Sequence, residues 1–101
     1  MAINDEMRNY YQERANEYDD WYQRNGSYDK GRQLNELWFS DLKILERYAV
    51  AVKNRKILEL ASGTGMWTQH LMHNNVIFPT DTSSNMLQLN RQKTNIEGGI
   101  L

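Results

Sequence analysis

The 101 residues contain no cysteine. That excludes a disulfide framework and a thiol nucleophile. There is no excess of charge of either sign. Formal net charge is −1, and no basic block stands out. A broad phosphate-contacting face for nucleic acid is therefore not expected. No apolar run approaches transmembrane length. Met1 to Arg14 is polar and lacks the apolar core of a signal peptide, so a cytoplasmic protein is the expectation. Proline occurs once, at Pro79. What remains is a globular composition, with 40% hydrophobic and 25% charged residues, enough for one domain with a modest core.

One stretch organises the chain. Lys56 to Leu71 reads K-I-L-E-L-A-S-G-T-G-M-W-T-Q-H-L. Ile57, Leu58 and Leu60 form a near-continuous apolar run, which predicts a strand covered on both faces. Ala61-Ser62-Gly63-Thr64-Gly65 is a small-residue loop that lets backbone approach a ligand closely. From Met66 the pattern turns helical, over 66–74, with Trp67 and Leu71 inward. The start of that helix would offer unpaired N–H groups. A second apolar run, Val76 to Asp81, reads V-I-F-P-T-D and ends in an acid. An acid at the end of the second strand of a βαβ unit can accept both hydroxyls of a ribose.

The dinucleotide fingerprint G-x-G-x-x-G fits imperfectly, because its third glycine falls on Thr68; this disfavours NAD. The arrangement E-x-A-x-G-x-G from Glu59 to Gly65 instead resembles motif I of the class I S-adenosylmethionine (SAM)-dependent methyltransferases, which more often carry glycine or alanine at Ala61. Ser62 stands where one branch has cysteine. Asp81 to Leu87 resembles that family's D-x-S-x-x-M-L segment. The resemblance implies an α/β, Rossmann-like three-layer fold, here truncated to two or three parallel strands. It implies SAM as cofactor, with S-adenosylhomocysteine (SAH) as product, held by Glu59, Ala61, Ser62, Gly63, Thr64, Gly65 and Asp81. Thr82 and Met86 would flank the adenine. The segments that carry substrate-binding and catalytic residues in that family are absent, so no catalytic residue is named. A non-catalytic Rossmann-like interaction module is the alternative.

Upstream, residues 5 to 24 are expected to be helical. Met7, Tyr11, Ala15, Tyr18 and Tyr22 form a stripe at successive spacings of 4, 4, 3 and 4, broadened by Tyr10 and Trp21. The string from Tyr10 to Asp19 resembles an N-terminal segment that closes over the cofactor in one methyltransferase branch, which makes Tyr11 and Arg14 candidates for cofactor contact. Asn25-Gly26-Ser27 breaks the helix. Residues 33 to 50 give a second amphipathic helix with Leu34, Leu37, Trp38, Leu42, Leu45 and Tyr48 on one side. The chain divides into a helical lid, 1–52, and a cofactor-binding half, 53–101. His70 and His73 are spaced i, i+3, but no neighbouring Asp, Glu or Cys completes a metal site. A further helix over 83–93 is expected to be capped by Ser83 or Ser84. Ile96 to Leu101 could begin a third strand, which Gly98-Gly99 weakens. Pro79 is admissible in the second strand at an edge, or where its missing N–H points away from the ladder. With no fourth strand on its other side, the first strand has an open edge, and this edge and the apolar helix faces predict a homodimer, through that edge or by swapped N-terminal helices.

Overall fold

A computed structural model describes residues 5–101, and for Arg8 and Tyr11 the backbone alone. Two long helices come first. Helix α1, Asp5–Gln23, has Asp5 and Glu6 in its first turn, where acids favour the helix dipole. It stops at Arg24, which adopts a left-handed φ of 57°. A short 3-10 turn, Gly26–Tyr28, leads to α2, Arg32–Ala51. Asp29 fixes the entry to α2: its Oδ1 accepts from Gly31 N at 2.9 Å and from Asn35 Nδ2 at 2.8 Å.

The rest is a β-α-β-α-β chain. Strand β1, Lys56–Glu59, is followed by α3, Thr68–Leu71; β2, Val76–Asp81, by α4, Ser84–Thr94; and β3 is Gly99–Ile100. The strands lie in the order β1-β2-β3 and both pairs are parallel. The expected truncated Rossmann-like sheet is therefore present, with the third strand included. Gly98-Gly99 permit that strand: a Cβ on Gly98 would sit 2.5 Å from Pro79 O, and one on Gly99 2.8 Å from Phe78 Cζ.

The expectation that β1 is covered on both faces is not met. Ile57, Glu59, Ile77 and Pro79 face α3 and α4 and are buried or half-buried. Leu58, Val76 and Phe78, on the other face, are 64%, 69% and 51% exposed. The cause is topological. Parallel crossovers are right-handed, and a sheet that advances in one direction places every crossover helix on the same side. Helices α3 and α4 therefore share one face of the sheet and leave the other open. β1 also has β2 as its one neighbour.

Pro79 lies in the central strand, not at an edge. Val76 N donates to Arg55 O and Ser62 N to Thr80 O, so even-numbered residues of β2 address β1. Pro79 addresses the β3 side, one residue before that pairing begins at Thr80. Its missing N–H leaves no gap in the ladder.

Helix α3 is a single turn, shorter than the 66–74 expected. Gly65 at φ 90° holds the chain in turns up to Trp67, and Asn74 at φ 61° reverses it into β2. So short an element offers little dipole to a ligand at its N-terminus. Helix α4 is capped by Ser83, whose Oγ accepts from Met86 N at 3.2 Å.

The apolar stripe of α2 packs less than its pattern predicts. Leu42 is buried and Trp38 half-buried, with Trp38 Nε1 donating to Tyr22 O at 2.8 Å. Leu34, Leu37, Leu45 and Tyr48 remain 51–73% exposed. No described helix is long and apolar enough to cross a membrane.

Candidate functional site

The loop between β1 and α3 and the loop between β2 and α4 meet at the same end of the sheet, because the strands are parallel. Asp81 joins them. Its Oδ2 accepts from Gly63 N at 2.8 Å, and its Oδ1 accepts from Ser83 N at 3.0 Å. The carboxylate is 8% exposed. An ionised carboxylate has about four acceptor positions, so two are used to shape the loops and two remain for a ligand. The sequence assigned Asp81 the second role and did not reveal the first.

The two glycines of the loop differ. Gly63 has φ 59°, and a Cβ built there meets nothing within 4 Å. The protein itself leaves that space open. Gly65 has φ 90°, and a Cβ there would lie 2.9 Å from the side chain of Asn90 and 3.1 Å from its Cα. Gly65 is thus required by the packing of loop on α4. Ala61 shares the left-handed region at φ 51°, where a side chain costs about 1 kcal/mol or more. Ala61→Gly is expected to stabilise the fold by roughly 0.5–1 kcal/mol, read as a rise in the urea midpoint without a change in m. No rise would show that the loop relaxes out of this conformation.

Beneath the loop runs a buried polar chain. Thr68 Oγ1 donates to Glu59 Oε1, Asn90 Nδ2 donates to Thr68 Oγ1 at 3.0 Å, and Thr94 Oγ1 donates to Asn90 Oδ1 at 3.0 Å. Thr68, the residue that replaces the dinucleotide glycine, is fully buried in this chain. Glu59 therefore faces inward as a structural acceptor. Burial pushes its pKa up, and the Thr68 hydrogen bond offsets part of that rise. A carboxyl with a raised folded pKa is fully tolerated when protonated. Its cost appears as pH climbs from the unfolded value through the folded one. Glu59→Gln keeps an acceptor for Thr68, so the variant should lose this fall in stability as pH rises above about 4.5. Denaturation at several pH values measures it; parallel curves for variant and wild type would refute the assignment.

Ser62 is buried, and its Oγ has no hydrogen-bond partner. Thr82 is half-exposed beside Asp81. Met86 is 3% exposed and packs in the core under the α4 N-terminus. Arg14 is not brought to the loop: it bonds Tyr10 OH, lies over the Tyr10 and Tyr18 rings, and lines a separate cleft with Trp21 and Tyr28. The Tyr11 side chain lies outside the described residues.

Two residues that the sequence reading passed over do reach the site from α1. Gln12 Oε1 accepts from Ser83 Oγ at 2.5 Å and from Asn85 N at 2.8 Å, while Gln12 Nε2 donates to Ser84 Oγ at 2.9 Å. Asp19 Oδ1 accepts from Thr64 Oγ1 at 2.6 Å and from Lys93 Nζ at 2.9 Å. Gln12, buried Ala15 and Asp19 share one face at i, i+3 and i+7. Apolar periodicity ignored the polar members. Their spacing around a small buried residue was the available clue.

Three parallel strands whose first loop is fastened to an acid ending the second make a class I methyltransferase-like fold, present here in part. No protein-family model matches the chain, and no curated protein does. Among solved structures the chain is similar to DhpI in its complex with SAH, with a TM-score of 0.54 and 27% sequence identity. The likeness covers 90% of this chain and 39% of that one.

Proposed function

We propose that the chain binds SAM and SAH at the Ala61–Gly65 loop and Asp81, and forms the cofactor-binding part of a methyltransferase. The observation that carries this reading is Asp81 tying both loops together beside the open space at Gly63. The likeness to an SAH complex supports it. The residues fit the group. Asp81 retains acceptor capacity for ribose hydroxyls, Gly63 leaves room for backbone contact, and the orphaned Ser62 Oγ lacks a partner. SAM supplies an electrophilic methyl on sulfur; this chain supplies position, which can account for much of such a displacement. The methyl acceptor must be held by groups that complete the site.

In this reading residues 1–52 are the cap and 53–101 the binding half. Gln12 and Asp19 close the cap over the loops, so ligand entry requires α1 to lift. The pair Gln12→Ala and Asp19→Ala is expected to speed hydrogen exchange in α1 and raise the SAH association rate several-fold. An unchanged rate would show that α1 is fixed packing.

The exposed sheet face and open β1 edge favour a second reading, a non-catalytic module that docks another chain. They also support self-association: a homodimer across the β1 edges or by exchanged N-terminal helices, tested by sedimentation equilibrium. Thermal denaturation separates the two readings. SAH at about a hundredfold over its Kd should stabilise a binding protein by about 2.7 kcal/mol. No shift at millimolar SAH would leave the interaction module.

A further inference from the structure

A cavity lies beside the loop rather than on it. It measures about 580 Å³ and is walled by Tyr22, Gln23, Phe39, Leu42, Lys43, Glu46 and Met66. That volume suits a small molecule. Met66 directly follows Gly65, so the cleft opens next to the proposed cofactor loop. Its lining is mostly apolar and aromatic, with two charges. Lys43 is exposed and solvated, whereas Glu46 is half-buried. Glu46 also lines an adjoining cleft of about 300 Å³ with Arg47, Val50 and His70. Its nearest partner among the described residues is His70 Nε2, at 3.6 Å, too far for a hydrogen bond. That nitrogen is itself buried and without a hydrogen bond. The Glu46 side chain is 33% exposed, and its carboxylate keeps acceptor capacity for a donor that a ligand brings into the cleft.

We infer that this cleft binds a small molecule with an aromatic or aliphatic body and a protonated amine. The body lies against Tyr22, Phe39 and Leu42, and the ammonium donates to Glu46. Aromatic walls suit a cation as well as an apolar body. The inference rests on the proposed function in one respect, that the occupant is the methyl acceptor. A protonated ammonium has no lone pair, so it is the recognition handle and another atom of the ligand accepts the methyl.

The test uses the intact chain, labelled with ¹⁵N and titrated with 2-phenylethylamine, 3-phenylpropionate and 2-phenylethanol, with and without SAH. The amine should saturate and shift the amides of Phe39, Lys43 and Met66. The acid and the alcohol should bind at least tenfold more weakly. Glu46→Gln, which keeps shape and removes charge, should weaken the amine at least tenfold while the spectrum stays folded. SAH should not displace the amine. Equal binding of all three probes, an indifferent Glu46→Gln, or displacement by SAH each overturns the inference. Amine binding without SAH binding upholds the cleft and removes its acceptor role. SAH binding without amine binding sinks the cleft and leaves the cofactor reading intact.

Discussion

Replacing Asp81 by alanine is expected to abolish detectable SAH binding and to destabilise the fold by about 2–4 kcal/mol. Two separate losses combine. The variant has no acceptor for ribose hydroxyls, each charge-assisted bond being worth about 1.5–3 kcal/mol. It also strands Gly63 N and Ser83 N, which the carboxylate satisfies at 2.8 and 3.0 Å in a nearly buried setting. Each unsatisfied buried donor costs about 1–3 kcal/mol. Asp81→Asn separates the effects. It retains one acceptor oxygen, so it should fold better than the alanine variant yet bind at least roughly tenfold more weakly than wild type. Calorimetry and urea denaturation on the same preparations decide. If Asp81→Ala binds SAH like wild type, the ribose assignment fails. If it is as stable as wild type, the fastening of the loops fails.

Gly65→Ala is expected to be the more damaging loop substitution, and Gly63→Val the more informative. At Gly65 a methyl meets Asn90, including its backbone, in a left-handed conformation. Asn90 cannot retreat, because it is 1% exposed and bonded to Thr68 and Thr94. Overpacking of about 1–3 kcal/mol adds to backbone strain of about 1–2 kcal/mol. A protein of this size has only about 5–15 kcal/mol in total, so the substitution should remove a large share of the stability and lower the melting temperature markedly. At Gly63 the side chain enters open space. Gly63→Val should stay folded, with only the dihedral strain, and lose SAH. Circular dichroism melts and SAH titration of both variants give the contrast. Loss of fold in Gly63→Val with survival of Gly65→Ala would reverse the assignment of roles.

The sequence made the repeating pattern of the second half readable because local rules and tertiary context agree there. An apolar run followed by small residues, and a second run ending in Asp81, leave little freedom for a βαβ unit. Ser83 capping follows from the same local chemistry. The long helices were also legible as helices, since their periodicity is set by neighbours three and four residues apart. Their packing was not. Leu34, Leu37 and Tyr48 obey an amphipathic pattern, yet the fold presents them outward. Pattern records which face could be buried, and the partner surface decides whether it is. Handedness of the crossovers, which leaves Leu58 and Phe78 bare, is likewise a property of strand order.

The site divides in the same way. Gly63, Gly65 and Asp81 announce themselves by residue type and spacing. Gln12 and Asp19 act across 71 and 45 positions of sequence, on Ser83 and Thr64, and only the folded chain brings them there. The family resemblance made Glu59 a candidate cofactor contact, whereas strand alternation turns it toward Thr68. Arg14 lies on α1 between the two latch residues yet points toward Tyr10 and Tyr18.

A calorimetric titration of the intact chain with SAH tests the central claim most directly. One saturable site per chain is expected, with binding lost in Gly63→Val while that variant remains folded. The absence of saturable heat at millimolar SAH, over a range of temperatures, would contradict the cofactor-binding role of the Ala61–Gly65 loop and Asp81.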